Sequence, residues 1–232
     1  MAEQTNRREG GRGRREKRDI NEDAKNFDIS TWTPKTEIGK KVKNGEITSI
    51  DEIYKLGRRI LESEIIDYLV PDIKVKVVDV KKTTRVTRAG RNFSFRVTVI
   101  VGDGNGHIGI GTSKNIERIN AQSKAMLNAK LNLRPIRRGC GSWECNCSNK
   151  HSIPFISIGK CSSLRVTLLP APNGVGIAAS DSIKEVFELA GIKDIWSATR
   201  GATDTKLNFV KAAIEALYNT CNLKLSGKFK EE

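Results

Sequence analysis

The sequence predicts an α+β protein with two domains, and three observations support this fold class. Segments with the two-residue alternation of strands and segments with helical apolar spacing occur in both halves of the 232-residue chain. A basic, cysteine-rich stretch separates the halves. Residues 1–139 hold 30 basic and 18 acidic side chains, whereas residues 140–232 hold 11 and 9. We therefore predict a basic tail over 1–30, a first domain over 31–133, a connector over 134–151 and a second domain over 152–225.

The first domain is predicted to have the element order α-β-β-β-α. Ser49, followed three residues later by Glu52, predicts a capping box at a helix start. Helical apolar spacing continues from there until Pro71, with Gly57 as a weak point. Alternation predicts strands over 73–77, 93–101 and 107–111, with a tight turn at 102–106 (GDGNG) and a closing helix over 114–133.

The second domain is predicted to be α+β and far less charged. Asp181 is the expected N-cap of a short helix, and Gly191 suits its left-handed exit. Apolar residues from Leu207 to Cys221 recur at intervals of three and four, which predicts a final helix with a buried face that includes Cys221. Strands are predicted over 153–158, 164–168, 175–179 and 192–198.

The net charge of +14 indicates the class of partner. Positive charge concentrated in one part of a protein repels itself, and a polyanion such as a nucleic acid relieves that repulsion. The alternative is a basic protein whose charged faces are simply solvated. The sequence has no uninterrupted run of the about 18 apolar residues that a spanning helix needs, and its N-terminus lacks the apolar stretch of a secretory signal. We therefore expect a cytoplasmic protein with no membrane association.

Three basic segments are the candidate nucleic-acid contacts. The tail (RREGGRGRREKR within residues 1–26) is expected to stay disordered until it meets an anion, or to be a solvated arm without a target. Arginine suits phosphate because its planar fork donates two parallel hydrogen bonds. Aromatic residues are few, which favours readout of phosphate and shape over base stacking. The predicted RNA-binding residues are Lys81, Lys82, Arg85, Arg88, Gly90 and Arg91 in one strand connection, and Arg134, Arg137 and Arg138 after a helix end.

The connector also carries a candidate metal site. Cys140, Cys145, Cys147 and His151 supply four donors within twelve residues. Zn²⁺ prefers a tetrahedral set of thiolate and imidazole ligands. A metal bound in this way could stiffen a connector that has no hydrophobic core of its own. The single residue between Cys145 and Cys147 is a tighter spacing than usual, so free thiols in an ordered loop are the alternative. Cys161 is a substitute ligand in this hypothesis.

Two glycine-rich stretches resemble nucleotide-binding motifs. Residues 104–109 (GNGHIG) fit G-x-G-x-x-G, but the motif runs into strand-like alternation, which favours a hairpin turn. His107 is expected to lie in that strand without a catalytic partner. Residues 170–179 (PAPNGVGIAA) resemble the phosphate loop of small-metabolite kinases, but Ile177 and Ala178 stand where those loops carry a serine pair.

Taken together, four segments resemble one family, the universal small-subunit ribosomal protein S-five. Two lie in the first domain, at residues 91–95 (RNFSF) and 99–109 (VIVGDGNGHIG). Two lie in the second, at residues 169–176 (LPAPNGVG) and 189–194 (LAGIKD). The similarity covers about residues 48–222. Residues 137–145 (RRGCGSWEC) and the N-terminal extension look like the archaeal branch of the family.

The resemblance implies a first domain similar to double-stranded-RNA-binding folds and a second domain that shares a fold with metabolite kinases without their catalysis. It implies a non-enzymatic constituent of the small ribosomal subunit that binds ribosomal RNA near the subunit neck. It also implies contacts with neighbouring ribosomal proteins, proximity to messenger RNA where it enters the subunit, and a role in decoding accuracy. The family's RNA-contacting loop maps onto residues 84–91. A free-standing double-stranded-RNA-binding factor and a small-metabolite kinase are the alternatives.

Overall fold

A computed structural model describes residues 32–147 and 149–222. The predicted basic tail over residues 1–30 lies outside the described residues. Within them, the chain forms two four-stranded sheets, each covered by helices, in agreement with the predicted α+β fold.

Three short helices precede the first sheet: α1 (Glu37–Lys43), α2 (Ile50–Lys55) and α3 (Ser63–Leu69). The prediction of a single helix after Ser49 is therefore wrong. The chain leaves α2 through Gly57, whose φ of +66° ends the helical path. The capping box also has a different partner: the Ser49 side chain makes no cap hydrogen bond, and Glu52 accepts the backbone N–H of Thr48 at 3.3 Å.

Helix α1 was not predicted, and Glu62 holds it in place. One oxygen of the Glu62 carboxylate accepts the backbone N–H groups of Lys35 at 2.9 Å and Thr36 at 2.6 Å, and the other accepts the Trp32 indole N–H at 3.2 Å. Burial alone would raise the pKa of Glu62, but these hydrogen bonds outweigh it and lower the pKa. A charged carboxylate thus anchors the first described turn of the chain.

The first sheet contains β1 (Lys74–Thr87), β2 (Gly90–Gly102), β3 (His107–Asn115) and β4 (Arg134–Pro135), all antiparallel and paired in that order. Helix α4 (Arg118–Leu131) covers one face, where Val97, Val99 and Val101 pack with the apolar side of the helix. Gly111 permits this close approach, since a Cβ atom there would lie 2.1 Å from the carbonyl oxygen of Ala125.

The second sheet contains β5 (Ser157–Cys161), β6 (Leu164–Pro170), β7 (Ile177–Ala178) and β8 (Ile195–Arg200), in the order β5-β6-β8-β7. Helices α5 (Asp181–Ala190) and α6 (Lys206–Asn219) pack against it, and a 3-10 turn (Thr220–Asn222) follows. Gly191 ends α5 with a φ of +74°, as predicted, whereas the N-cap is Ser180 and not Asp181. The strand predicted over 153–158 begins only at Ser157; Ile153 is buried in the core, and its carbonyl accepts the N–H of Gly141 in the connector.

The two sheets share a core. Ile100, Ile108 and Ile136 from the first half are buried in the same apolar cluster as Phe187 and Leu168 from the second. Hydrogen bonds also cross this seam. The N–H of Gly104 donates to the Leu189 carbonyl at 2.9 Å, and the Tyr218 hydroxyl donates to the Ile108 carbonyl at 2.9 Å.

Candidate nucleic-acid interface and metal centre

The predicted basic connection is a β-hairpin arm and not a loop. Strands β1 and β2 stay paired out to Thr87 and Gly90, so only Arg88 and Ala89 form the turn. Gly90 closes it with a φ of +129°, and the Thr87 hydroxyl donates to the Gly90 carbonyl at 3.0 Å. Residues 84–93 are all exposed. We call residues 81–96 the arm. Because β1 and β2 are paired along the arm, the backbone fixes the direction in which its cationic side chains point.

The two faces of the arm differ in chemistry. On one face, Lys81 is paired with Arg96 across the strands, and Arg85 lies further towards the tip. Between them the Thr83 and Ser94 hydroxyls are 2.9 Å apart. On the other face, the Lys82 ammonium lies 4.0 Å from the centre of the Phe93 ring, a cation–π contact. Arg96 was missed by the sequence analysis, although its alternation with Phe95 and Val97 placed it on the polar face.

Most of the arm's cations have no counter-charge among the residues that the structure describes. Lys81 lies 3.4 Å from Asp79. For Arg85, Arg88 and Arg91, no carboxylate among the described residues comes within ion-pair distance. Exposed guanidinium groups without a partner are free to donate to phosphate oxygens. The structure thus supports the availability of these three residues for an anion.

The second predicted cluster lies at the seam between the sheets and is partly engaged. Arg134 is exposed and stacks over Tyr218, with 5.0 Å from its guanidinium carbon to the ring centre. The backbone N–H of Arg137 donates to the Thr220 hydroxyl at 3.0 Å. Arg138 donates to three main-chain carbonyls, those of Gly104 and Gly191 at 3.2 Å and that of Asn105 at 2.7 Å. The Arg138 guanidinium therefore joins the two halves of the chain.

Residues 104–109 form the hairpin turn and strand start predicted for them. Asp103 organises this turn by accepting the backbone N–H groups of Asn105 at 2.7 Å and His107 at 3.0 Å. His107 lies in the strand as predicted, and each of its ring nitrogens faces a carboxylate: Nδ1 lies 2.6 Å from Asp103 and Nε2 lies 3.0 Å from Asp51. This arrangement joins helix α2 to the turn.

The four predicted metal ligands converge. The ligand atoms of Cys140, Cys145, Cys147 and His151 all lie within 4.8 Å of one another, and the cysteines are free thiols. The Cys145 sulfur is 3.0 Å from that of Cys147 and 3.8 Å from Nε2 of His151. Around a tetrahedral zinc ion, sulfur ligands at about 2.3 Å from the metal stand about 3.8 Å apart. Small side-chain movements would give this set that geometry.

A sulfur–sulfur contact perturbs the pKa of two of these thiols. The 3.0 Å contact with Cys147, together with the Asn173 backbone N–H, lowers the pKa of Cys145 to about 6. The same contact raises the pKa of Cys147 to about 11. A lowered pKa favours the thiolate, the form of cysteine that binds metal.

Backbone pairing holds the connector in place around this cluster. Gly139 and Ser152 exchange two hydrogen bonds of 2.8 and 2.9 Å, and the N–H of Gly141 donates to the Ile153 carbonyl. Cys161, the substitute ligand of the sequence hypothesis, lies outside the cluster in β5. Cys221 is exposed, with its thiol donating to the Pro135 carbonyl at 3.2 Å, so the expectation that it belongs to the core was wrong.

The loop over residues 171–176 does not have the free amides of a phosphate-binding loop. The backbone N–H groups of Gly174 and Gly176 both donate to one oxygen of Asp194, at 3.1 and 2.8 Å. The Asn173 N–H faces the Cys145 sulfur. A phosphate would have to displace these acceptors, so the likeness to kinase loops is one of sequence and not of available donors.

Among the helices of residues 32–147 and 149–222, none combines the length and apolar character required to cross a membrane.

Comparison with known proteins identifies the class as ribosomal. The family model for "Ribosomal protein S5, N-terminal domain" matches residues 73–137, and that for "Ribosomal protein S5, C-terminal domain" matches residues 159–228. These two regions contain the first sheet with the arm and most of the second sheet.

The chain belongs to the ribosomal protein S5 family, which confirms the resemblance seen in the sequence. A small ribosomal subunit protein uS5 from Staphylothermus marinus is 50% identical over 192 residues, which cover 83% of this chain and 90% of that protein. Proteins of the same description from Methanospirillum hungatei and Methanocaldococcus jannaschii are each 48% identical, over 87% and 89% of this chain and 98% and 95% of their own lengths.

Proposed function

We propose that this chain is a structural constituent of the small ribosomal subunit and that it binds ribosomal RNA through its arm. The observation that carries this proposal is the set of exposed guanidinium groups at Arg85, Arg88 and Arg91 without ion-pair partners among the described residues. The uS5 relatives are described as small ribosomal subunit proteins. Family membership and site chemistry therefore support the same function.

The proposed mechanism is neutralisation of phosphates by a rigid, charged hairpin. The strand pairing of β1 and β2 orders the arm's backbone before RNA binds, so binding orders only the side chains. Each guanidinium can bridge two oxygens of a phosphate. The exposed Phe93 ring beneath Lys82 adds a flat apolar surface that could pack against a sugar or a base. Lys81, Lys82 and Arg134 are further proposed contacts, together with the backbone at Gly90.

The proposed role is not catalytic. The family is a structural, non-enzymatic class. The loop that resembled a kinase phosphate loop directs its amides to Asp194 and Cys145 instead. A phosphoryl-transfer enzyme needs donors free to hold the transferred phosphate, and these amides already have acceptors.

The finer placement follows from the resemblance to the family. We propose that the protein lies in the cytoplasmic ribosome near the subunit neck, contacts neighbouring ribosomal proteins, and lies close to messenger RNA where it enters. The division into a tail over 1–30, domains over 31–133 and 152–225 and a connector over 134–151 is part of the same proposal.

Sedimentation of a cell lysate through a sucrose gradient tests the function. We expect the full chain to migrate with small subunits and whole ribosomes at moderate salt. Migration with free proteins, together with stable binding to arbitrary RNA duplexes, would instead indicate a free-standing RNA-binding factor. Saturable ATP turnover would indicate a kinase.

We further propose that Cys140, Cys145, Cys147 and His151 hold a structural zinc ion. Convergence of three sulfur atoms and one imidazole nitrogen within 4.8 Å supports this. Metal analysis of the full chain, purified under reducing conditions, should find one zinc ion per molecule. Cys145→Ser should lose it, whereas the matched variant Cys161→Ser, outside the cluster, should retain it. Metal-free wild-type protein that also fails to take up added zinc would refute the site.

A further inference from the structure

Asp194 lies between the metal cluster and the loop over residues 171–176. Its side chain is 4% exposed, and both of its oxygens are engaged. Oδ2 lies 2.8 Å from Nδ1 of His151, while Oδ1 accepts the backbone N–H groups of Gly174 and Gly176. One buried carboxylate thus contacts both the metal cluster and the loop over residues 171–176.

The contact with His151 determines which ring nitrogen faces the cysteines. A carboxylate only accepts hydrogen bonds, so Nδ1 of His151 carries the proton that lies towards Asp194. In the neutral imidazole, Nε2 then has its lone pair directed to the cluster, where the Cys145 sulfur is 3.8 Å away. This is the tautomer that a metal requires, and carboxylates commonly hold ligating histidines in this way.

The loop depends on the same carboxylate because packing does not hold it. Gly174 and Gly176 have φ of +93° and +77°, and apart from the adjacent residues no described atom lies within 4 Å of where a Cβ would stand on either. Val175 between them is 45% exposed. The hydrogen bonds to Asp194 therefore fix this segment, together with that of the Ile195 N–H to the Gly176 carbonyl at 3.1 Å and that of the Asn173 N–H to the Cys145 sulfur.

We propose that Asp194 is a positioning residue that couples zinc binding to the conformation of residues 173–176. This inference rests on the proposed zinc site. A bound ion fixes the His151 imidazole, the imidazole N–H fixes the Asp194 carboxylate, and the second oxygen of the carboxylate fixes the loop. A second connection runs from the ion through the Cys145 sulfur to the backbone of Asn173. Removal of zinc therefore loosens the loop, and removal of the carboxylate weakens zinc binding.

The variant Asp194→Asn separates these contacts. An asparagine has one acceptor and one donor group, so it can accept from the His151 ring or from the glycine amides, but not from both. We expect zinc affinity of the full chain to fall about 10- to 100-fold, as is typical for partners of ligating histidines. Asp204→Asn, at an exposed acidic residue of the same half, is the control and should leave zinc affinity unchanged.

A second measurement uses the wild-type chain and does not depend on the variant folding. Chelation of zinc should speed amide hydrogen exchange at Gly174 and Gly176, while exchange in β6 stays the same. The ¹⁵N signals of His151 should report a protonated Nδ1 and a metal-bound Nε2 in the zinc form. If wild type takes up no zinc, the metal site itself fails. If wild type binds zinc but Asp194→Asn binds it equally well, or chelation leaves the two glycine amides unchanged, only the coupling is overturned.

Discussion

Oδ2 of Asp103 lies 2.6 Å from Nδ1 of His107. The other oxygen of this carboxylate accepts two backbone amides of the β2–β3 turn, so Asp103 holds both the turn and the imidazole. Asp51 from α2 approaches the opposite ring nitrogen, and the Tyr54 ring stacks on the imidazole at 6.1 Å. A histidine between two carboxylates is most stable when it is protonated.

We expect stability to depend on pH through His107. Burial lowers its pKa, but the hydrogen bonds and charges of Asp103 and Asp51 outweigh burial and raise the pKa above the ordinary 6.5. A raised pKa contributes stability that is fully present below pH 6.5 and is lost as the pH rises through the folded-state value. Urea unfolding of wild type and His107→Asn should therefore give a stability difference that shrinks as the pH rises above 6.5. A difference independent of pH would contradict the charged form.

The arm should contribute to RNA affinity without contributing to folding. Arg88→Ala/Arg91→Ala removes two exposed cations that form no ion pair with any described residue, so the free energy of thermal unfolding should stay within about 0.5 kcal/mol of that of wild type. The slope of log K against log salt for a small-subunit rRNA transcript should fall by about 0.7 to 0.9 for each phosphate that the variant no longer neutralises. Lys206→Ala/Lys211→Ala removes two exposed cations from α6 and should change the slope less. Equal slopes in the arm variant and wild type would exclude the arm as a phosphate contact.

Arg138 should behave as a residue of the seam between the sheets. Its guanidinium bonds to carbonyls of the β2–β3 turn and of Gly191, so Arg138→Ala leaves these acceptors without their charged donor. We expect a decrease of about 2 kcal/mol in the free energy of unfolding. Arg138→Lys should recover only part of this, since an ammonium cannot reproduce the planar fork. Denaturant titration measures the decrease. A stable Arg138→Ala variant with a reduced salt slope for RNA would instead support the sequence-based prediction that Arg138 binds phosphate.

Gly111 tests the packing of α4 on the first sheet. A Cβ atom there would lie 2.1 Å from the Ala125 carbonyl oxygen and 2.3 Å from the Ala129 nitrogen, both main-chain atoms that cannot rotate away. We expect Gly111→Ala to cost about 3 kcal/mol or more of stability. Gly45→Ala is the control, because Gly45 has a φ of +78° but open space around it, and it should cost about 1 kcal/mol. Similar decreases in the two variants would mean that the helix can shift.

Local signals in the sequence predicted much of the fold. The alternation over 93–101 identified β2, and the glycine at 191 identified the end of α5, because each pattern depends on nearby residues. The four metal candidates also come from one short segment, and the structure brings them together.

The features that the sequence analysis did not predict depend on contacts between distant segments of the chain. Residues 81–85 of β1 are charged or polar on both faces, so this part of the strand is recognisable only from its pairing with β2. Helix α1 is fixed by Glu62, far along the chain. Lys130 on α4 is 3% exposed and is paired with Asp67 on α3 at 2.6 Å, which helical periodicity could not reveal. Similarly, Asp51 and Asp194 reach their histidines from distant segments, so no spacing rule would find them.

The core shared by Ile100, Ile108 and Phe187 has a consequence for biosynthesis. Translation releases the N-terminal half first, and that half can pair its strands while Phe187 is still unmade. During this interval the nascent chain exposes an apolar surface next to the positively charged arm, on a polysome where RNA is abundant. This exposure ends only when α5 and α6 emerge from the ribosomal exit tunnel and cover Ile100 and Ile108.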